Sequence, residues 1–211
     1  MISMAQFLVR YVTPLLKPLG FTKTGSTYRL IADNGDQALI EFQRSSGTDI
    51  AFFVNVAVSP KTQAEFLDYL MKRQPRAPSV AGAALSDRVR PPAEVEYDNG
   101  SIVPDQRWEF TDDATAQRCG ELLAEILTRD VVPVIAPLLD RKNFLAYLAR
   151  PKEDRPFKSA RSSYVTVPLL IDEGPNPEME AILAKAAAAG DMRVVDWAEQ
   201  YLRDRRGSSA K

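Results

Sequence analysis

Carboxylates are the side chains through which this chain could do acid–base or metal-assisted chemistry. The sequence contains no histidine and a single cysteine, which excludes histidine-based triads, His-ligated zinc and thiolate metal clusters. The candidate acidic pairs are Asp33 with Asp36, Asp112 with Asp113, and Asp172 with Glu173. The first pair flanks a turn and the second opens a helix, and aspartate prefers both positions for structural reasons. We therefore predict structural roles for these pairs, with no metal site and no cofactor.

Short motifs for phosphate binding and nucleophilic catalysis are absent from the sequence. There is no GxGxxG loop, no P-loop and no GxSxG elbow. The formal charge of −1, from 27 basic and 28 acidic residues, argues against a broad electrostatic binder of nucleic acid. Arginines do gather in two segments: Arg73, Arg76, Arg88 and Arg90, and Arg150, Arg155 and Arg161. Solvated loop charge is the favoured interpretation, whereas an RNA end held there would give binding that weakens steeply with salt.

The elements that must position these residues begin with a predicted three-strand meander in segment 20–58. Apolar and polar residues alternate there, which indicates half-buried strands at 27–33, 37–45 and 49–58. A two-residue turn at Asn34-Gly35 would divide the apolar residues between the two faces. A three-residue loop at 34–36, with Gly35 at positive φ, keeps them together and sets Arg29 opposite Glu41. A second three-residue loop at 46–48 sets Phe42 opposite Phe52.

This arrangement gives the sheet two different faces. The apolar face requires a cover of helices and consists of Tyr28, Leu30, Ile40, Phe42, Phe52, Val54, Val56 and Val58. The other face is polar with one aromatic and consists of Arg29, Glu41, Gln43, Phe53 and Asn55. Such a face is either solvated or a binding surface.

The whole chain reads as an α+β fold. We predict an antiparallel sheet, the meander plus one or two further strands, covered on one face by helices. Residues 1–150 form the α+β domain, 151–206 a mainly helical C-terminal extension packed on it, and 207–211 a disordered tail. We predict an irregular loop for segment 74–92 and a hairpin for 93–103. We predict a strand for 106–111, and an added strand or an extended arm for 164–171. No apolar run is long enough to span a membrane, and we expect a cytoplasmic protein.

A family resemblance rests on two stretches, LKPLGFTKTGSTYRL and IEFQRSSGTDIAFFVNVAVSP, and on Trp108 and the long helix with Leu138-Leu139. Its strongest pieces are Gly20-Phe21, Phe42-Gln43 and Asn55. The chain resembles bacterial domain-of-unknown-function family 4304 from about residue 7 to residue 148. The resemblance implies a fold and a bacterial cytoplasmic setting but no established activity. Members look like small accessory proteins, some resembling immunity-type partners of secreted toxins.

The sequence therefore predicts a non-enzymatic binding protein whose polar sheet face engages a protein partner or a small ligand. The alternative is a carboxylate-dependent, metal-assisted hydrolase such as a phosphoesterase. That alternative requires acidic residues distant in sequence to converge in one cleft. Its candidates, of which three or more must meet, are Asp33, Asp36, Glu41, Asp98, Asp112 and Asp172.

Overall fold

The computed structural model describes residues 2–45, 51–92, 107–157 and 162–208. The strands are β1 (Thr22–Thr24), β2 (Thr27–Ile31), β3 (Gln37–Arg44), β4 (Ala51–Ser59), β5 (Leu85–Val89) and β6 (Trp108–Glu109). The uninterrupted helices are α2 (Lys61–Leu70), α4 (Arg141–Ala149), α5 (Ser163–Leu170), α6 (Pro177–Ala188) and α7 (Met192–Ser208). Two composite helices each contain a π turn: α1 (Met4–Phe7, Leu8–Val12, Thr13–Leu16) and α3 (Asp113–Ile126, Leu127–Val131, Val132–Ile135). The predicted α+β class is confirmed.

The π turns explain how α1 and α3 continue past a proline. In α1 the N–H of Thr13 bonds the carbonyl of Leu8, five residues back, immediately before Pro14. The same five-residue bond forms in α3 before Pro133. Proline lacks an N–H and its ring crowds the carbonyl four residues earlier, so a wider preceding turn lets the helix continue. Each proline is thus accommodated by a local change of helix type.

The strands form one antiparallel sheet in the order β1-β2-β3-β4-β5, with β6 paired to β4. Both predicted registers within the meander are wrong by two residues. Arg29 lies opposite Leu39 rather than Glu41, and Phe42 lies opposite Val54 rather than Phe52. A shift of two residues keeps every side chain on its own face, so the predicted division into an apolar and a polar face survives.

The first of these registers follows from the turn that joins β2 to β3. The side-chain oxygen of Asn34 accepts the backbone N–H of Asp36 at 2.9 Å, and the N–H of Gly35 bonds the carbonyl of Ala32 at 2.8 Å. Gly35 has φ 84°, as predicted. This side-chain-stabilised turn holds residues 32–36 outside the ladder, so Ile31 pairs with Gln37.

The apolar face carries the larger core, beneath α1 and α3. Phe7 of α1 stacks on Phe110 at a centroid distance of 4.9 Å and packs on Phe52 at 5.4 Å. The indole N–H of Trp108 bonds the carbonyl of Val89 at 2.9 Å, so this tryptophan is a core residue with its polar group satisfied. Cys119 is buried on α3, and burial raises its pKa to about 12. It is therefore an inert thiol.

The opposite face is only half open. Leu39 and Ala57, which are paired across β3 and β4, are completely buried. The 3₁₀ turn Val80–Gly82 packs against β4 on that side, with Gly82 close to Leu67 of α2. The expectation that this whole face stays free is thus wrong for the half that contains Leu39, because the segment after α2 folds back over it.

Several other predictions are corrected. Segment 74–92, predicted as an irregular loop, contains the 3₁₀ turn Val80–Gly82 and β5. Segment 164–171, predicted as a strand or arm, lies mostly in α5. The strand predicted at 106–111 is short, as β6. The hairpin predicted at 93–103 lies outside the described residues, as does segment 209–211 of the predicted tail, whereas α7 extends to Ser208.

A second hydrophobic cluster joins the C-terminal helices to α2. Phe66 of α2 packs on Tyr164 of α5 at 5.1 Å and on Trp197 of α7 at 4.9 Å between ring centroids. The hydroxyl of Thr62, also on α2, donates to the carbonyl of Pro168 at 2.5 Å. Within the described ranges, every helix is too short or too polar to cross a membrane.

Candidate functional site

A polar row crosses the open half of the outer sheet face. The observed register sets Glu41 of β3 beside Asn55 of β4, and Asn55 beside Arg88 of β5. The side-chain amide of Asn55 donates to Glu41 Oε2 at 3.3 Å and to Gln43 Oε1 at 3.0 Å. Its carbonyl oxygen accepts from Arg88 Nε at 3.3 Å. Asn55 is only 7% exposed, and these bonds satisfy its polar atoms in that buried position.

Phe53 adds an aromatic surface to this row. The guanidinium carbon of Arg88 lies 4.0 Å from the centroid of the Phe53 ring, which is cation–π contact distance. Phe53 and Arg88 are both half-buried and Gln43 is exposed. We call Glu41, Gln43, Phe53, Asn55 and Arg88 the polar patch. It combines one cation, one anion, two amides and an aromatic ring.

Four of the five predicted site residues therefore come together, and Arg29 does not join them. Arg29 lies on the same face but under the segment that covers it. Its Nη1 donates to the carbonyl of Pro78 at 2.8 Å and to Gln37 Oε1 at 3.2 Å. These contacts give Arg29 the role of holding the covering segment on the sheet.

Arg88 was missed as a sheet residue, since its segment was predicted to be a loop. In β5, Leu85, Asp87 and Val89 lie opposite inward-facing residues of β4. The charge at position 87 breaks the apolar alternation that would have marked a strand. The arginine cluster noted in the sequence is the signal that could have found Arg88, but the cluster itself is dispersed. Arg73, for example, pairs with Asp68 at 2.5 Å.

The carboxylates of the hydrolase alternative are spread over the molecule. Glu41 lies on the polar patch and Asp112 caps α3 through the N–H of Thr115 at 2.8 Å. Asp36 and Asp172 approach the same cation, Arg141, whose Nε lies 2.9 Å from Asp36 Oδ2 and whose Nη1 bonds Asp172. Asp98 lies outside the described residues. Among the residues that are described, no group of three or more acidic or cysteine side chains is arranged to hold a metal ion.

Asp172 forms the centre of an ion network between α4 and α7. The Tyr201 hydroxyl donates to Asp172 Oδ1 at 2.7 Å, and Arg205 Nη1 lies 2.6 Å from the same oxygen. Burial opposes ionisation of Asp172, but the hydrogen bond from Tyr201 and the Arg141 and Arg205 cations outweigh it, so the pKa of Asp172 is lowered. The pKa of Tyr201 is raised, first by burial and then by its bond to this carboxylate. The network is a structural link in which each charge is already compensated.

The comparisons with known proteins give a family and no activity. The comparison with curated proteins and the comparison with solved structures each find no match. The family model described as "Domain of unknown function (DUF4304)" matches residues 12–136, which is more than half of the chain and includes the whole polar patch. The chain therefore belongs to the DUF4304 family.

Proposed function

We propose that this protein is a non-enzymatic binding protein that engages a protein partner through the polar patch. The observation that carries the proposal is the arrangement around Asn55, where a buried amide fixes Glu41, Gln43 and Arg88 in one row. Ordering side chains before a partner arrives lowers the entropic cost of binding. Arginine and aromatic residues are also the types that contribute most at protein interfaces.

A protein partner is favoured over a small ligand because of the shape of this surface. The patch is built from neighbouring strands of one sheet, β3, β4 and β5. Small-molecule sites are concave and enclose most of their ligand, whereas the side chains of the patch lie next to one another across three strands. We place this function in the cytoplasm, in keeping with the free and buried Cys119. An immunity-type role would be one form of such binding.

The test compares two exposed glutamines. Gln43 lies on the patch, and Gln117 lies on α3, where its amide bonds Glu121 at 2.9 Å. The wild-type protein, Gln43→Lys and Gln117→Lys are immobilised in equal amounts, and proteins captured from the producing cells are quantified by mass spectrometry. We expect a partner captured equally by wild type and Gln117→Lys, and at least about tenfold less by Gln43→Lys.

Two controls make the comparison decisive. Both variants should keep the circular dichroism spectrum of the wild type, because neither glutamine is buried. Gln43→Lys also removes one acceptor of the Asn55 amide, so its melting temperature should fall by no more than about 2–4 °C, the shift that about 1 kcal/mol causes in a chain of this size. If every captured protein is recovered equally by all three baits, the patch is not the binding surface and the proposal fails.

A further inference from the structure

We infer that Arg88 is the anchor of the polar patch and that it binds a carboxylate on an acidic segment of the partner protein. This inference rests on the proposed function and names the chemistry that the patch recognises. Its starting point is the way Arg88 is held. The ring of Phe53 supports one face of the guanidinium at 4.0 Å, and Asn55 Oδ1 accepts from Nε at 3.3 Å.

With respect to the described residues, these two contacts leave the Nη1–Nη2 edge of the guanidinium unbonded. Arginine has five N–H donors, and within the described part of the chain only the one on Nε is bonded. Among the described residues, neither Nη1 nor Nη2 of Arg88 has an acceptor. Other arginines differ, since Arg141 is bonded to two carboxylates and Arg29 to a carbonyl and an amide oxygen. In the ranges that the structure describes, Arg88 is therefore held in one orientation without an anionic partner, and its paired Nη groups are the donors offered to a ligand.

The geometry of this free edge selects a planar anion. Two parallel N–H groups on Nη1 and Nη2 match the two oxygens of a carboxylate, and stacking on Phe53 keeps the guanidinium from rotating away. Lysine at this position would keep the charge but lose both the paired donors and the flat contact with the ring.

The surrounding charge favours a carboxylate over phosphate. Glu41 belongs to the same row as Arg88 and is joined to it through Asn55. The patch thus carries one positive and one negative side chain, and a phosphate dianion would be repelled by Glu41 more strongly than a monoanion would. A peptide can satisfy both charges at once, with an acidic side chain on Arg88 and a backbone N–H donated to Glu41. This pairing commits the inference to an acidic protein segment.

The test follows the arginine Nε–Hε signals by NMR of the ¹⁵N-labelled protein during titration with three probes. The first is the peptide Ac-GSEGSG-NH₂, the second is the same peptide with Gln in place of Glu, and the third is inorganic phosphate. The Arg88 signal is assigned by its loss in Arg88→Lys. We expect a saturable shift of this signal with the Glu peptide, no saturable shift with the Gln peptide, and weaker binding of phosphate.

Arg90 supplies the matched control, because it is an exposed arginine two residues along the chain. Arg88→Lys should weaken binding of the Glu peptide by about tenfold or more, the loss expected when a charged hydrogen-bonded pair is removed. Arg90→Lys should leave it unchanged. Equal binding of the Glu and Gln peptides, tighter binding of phosphate, or equal effects of the two substitutions would overturn the inference.

Failure of this inference can be told apart from failure of the proposed function. If Gln43→Lys prevents partner capture while Arg88→Lys does not, the patch binds a protein but not through a carboxylate on Arg88. If the Glu peptide binds at Arg88 while partner capture is insensitive to Gln43→Lys, the carboxylate site exists but the partner binds elsewhere.

Discussion

The buried ion pair between Asp36 and Arg141 allows the energetic role of burial to be tested within this one protein. Arg141 Nε and Nη2 lie 2.9 and 3.0 Å from the two carboxylate oxygens of Asp36. The two side chains are 11% and 2% exposed, respectively. Asp36 also accepts the backbone N–H of Lys61 at 2.8 Å and so caps α2. The pair therefore joins the turn after β2 to the start of α2 and to α4.

Arg141→Met keeps an unbranched apolar side chain but removes the guanidinium. Asp36 would then remain buried with only neutral donors, the N–H of Lys61 and the amide of Asn34. Removing one partner of a buried pair costs about 3–5 kcal/mol, since the other charge is left uncompensated. Asp172 is 31% exposed, so water can replace most of its lost contact with Arg141. We therefore expect the free energy of unfolding to fall by about 3–5 kcal/mol.

The same substitution at Arg129 is the control. Arg129 also has two carboxylate partners, Glu125 at 2.5 Å and Asp130 at 2.8 Å, but its side chain is 62% exposed. Exposed pairs contribute about 0–1 kcal/mol each, so Arg129→Met should cost no more than about 1–2 kcal/mol in total. The two variants thus differ in burial far more than in the number of ionic contacts.

The measurement is urea unfolding at neutral pH, followed by far-ultraviolet circular dichroism, for the wild type and both variants. If Arg141→Met and Arg129→Met lower the free energy of unfolding equally, to within about 1 kcal/mol, burial does not increase the contribution of the Asp36–Arg141 pair to stability, and the reasoning is refuted. The double variant Asp36→Asn with Arg141→Met should be more stable than Arg141→Met alone, because it removes the uncompensated charge.

Two further predictions concern close packing and pH. Gly120→Ala should destabilise the protein by about 1–3 kcal/mol despite the higher helix propensity of alanine, because the new Cβ would lie 2.5 Å from Tyr11 Cγ and 2.6 Å from Cδ1. In a Tyr11→Ala background, thermal unfolding should show a smaller loss of stability from Gly120→Ala. An equal loss in both backgrounds would contradict this explanation. The lowered pKa of Asp172 contributes stability that is present above about pH 4 and is lost as the pH falls through the lowered value. Tyr201→Phe should move the pKa of Asp172 back toward its ordinary value, so this variant should lose less stability than the wild type between about pH 4 and pH 2. Urea unfolding midpoints are measured for both proteins across that range. If both midpoints fall equally, the Tyr201 hydrogen bond does not lower the pKa of Asp172.

The division of the sheet into two faces was predictable from the sequence, and the register was not. Alternation fixes which side each residue of β3 and β4 occupies, but a shift of two residues preserves it. The deciding contacts lie in the turn, where Asn34 bonds the backbone of Asp36. Helix α5 was mistaken for a strand because Val165–Leu170 is buried throughout. A helix that is apolar on all sides has no period to distinguish it from a buried strand.

The candidate site shows the same limit on prediction. Gln43, Phe53 and Asn55 could be grouped from alternation in the meander alone. Arg88 reaches them only through the pairing of β4 with β5, and that pairing joins residues far apart in the chain. Local patterns in the sequence could therefore not place Arg88 in the patch, although Arg88 supplies the cation and the free donors.

The family match separates the patch from the network that anchors the C-terminal helices. All residues of the polar patch lie within 12–136, whereas Arg141, Asp172 and α4 to α7 lie after it. Asp36 lies inside the matched region and binds Arg141 outside it, so it is a point at which the later helices attach to the family domain. A binding role for the patch can therefore be sought in any member that keeps residues of these types at the matching positions. The stability carried by Asp36 and Arg141 applies only to chains that also carry the C-terminal helices.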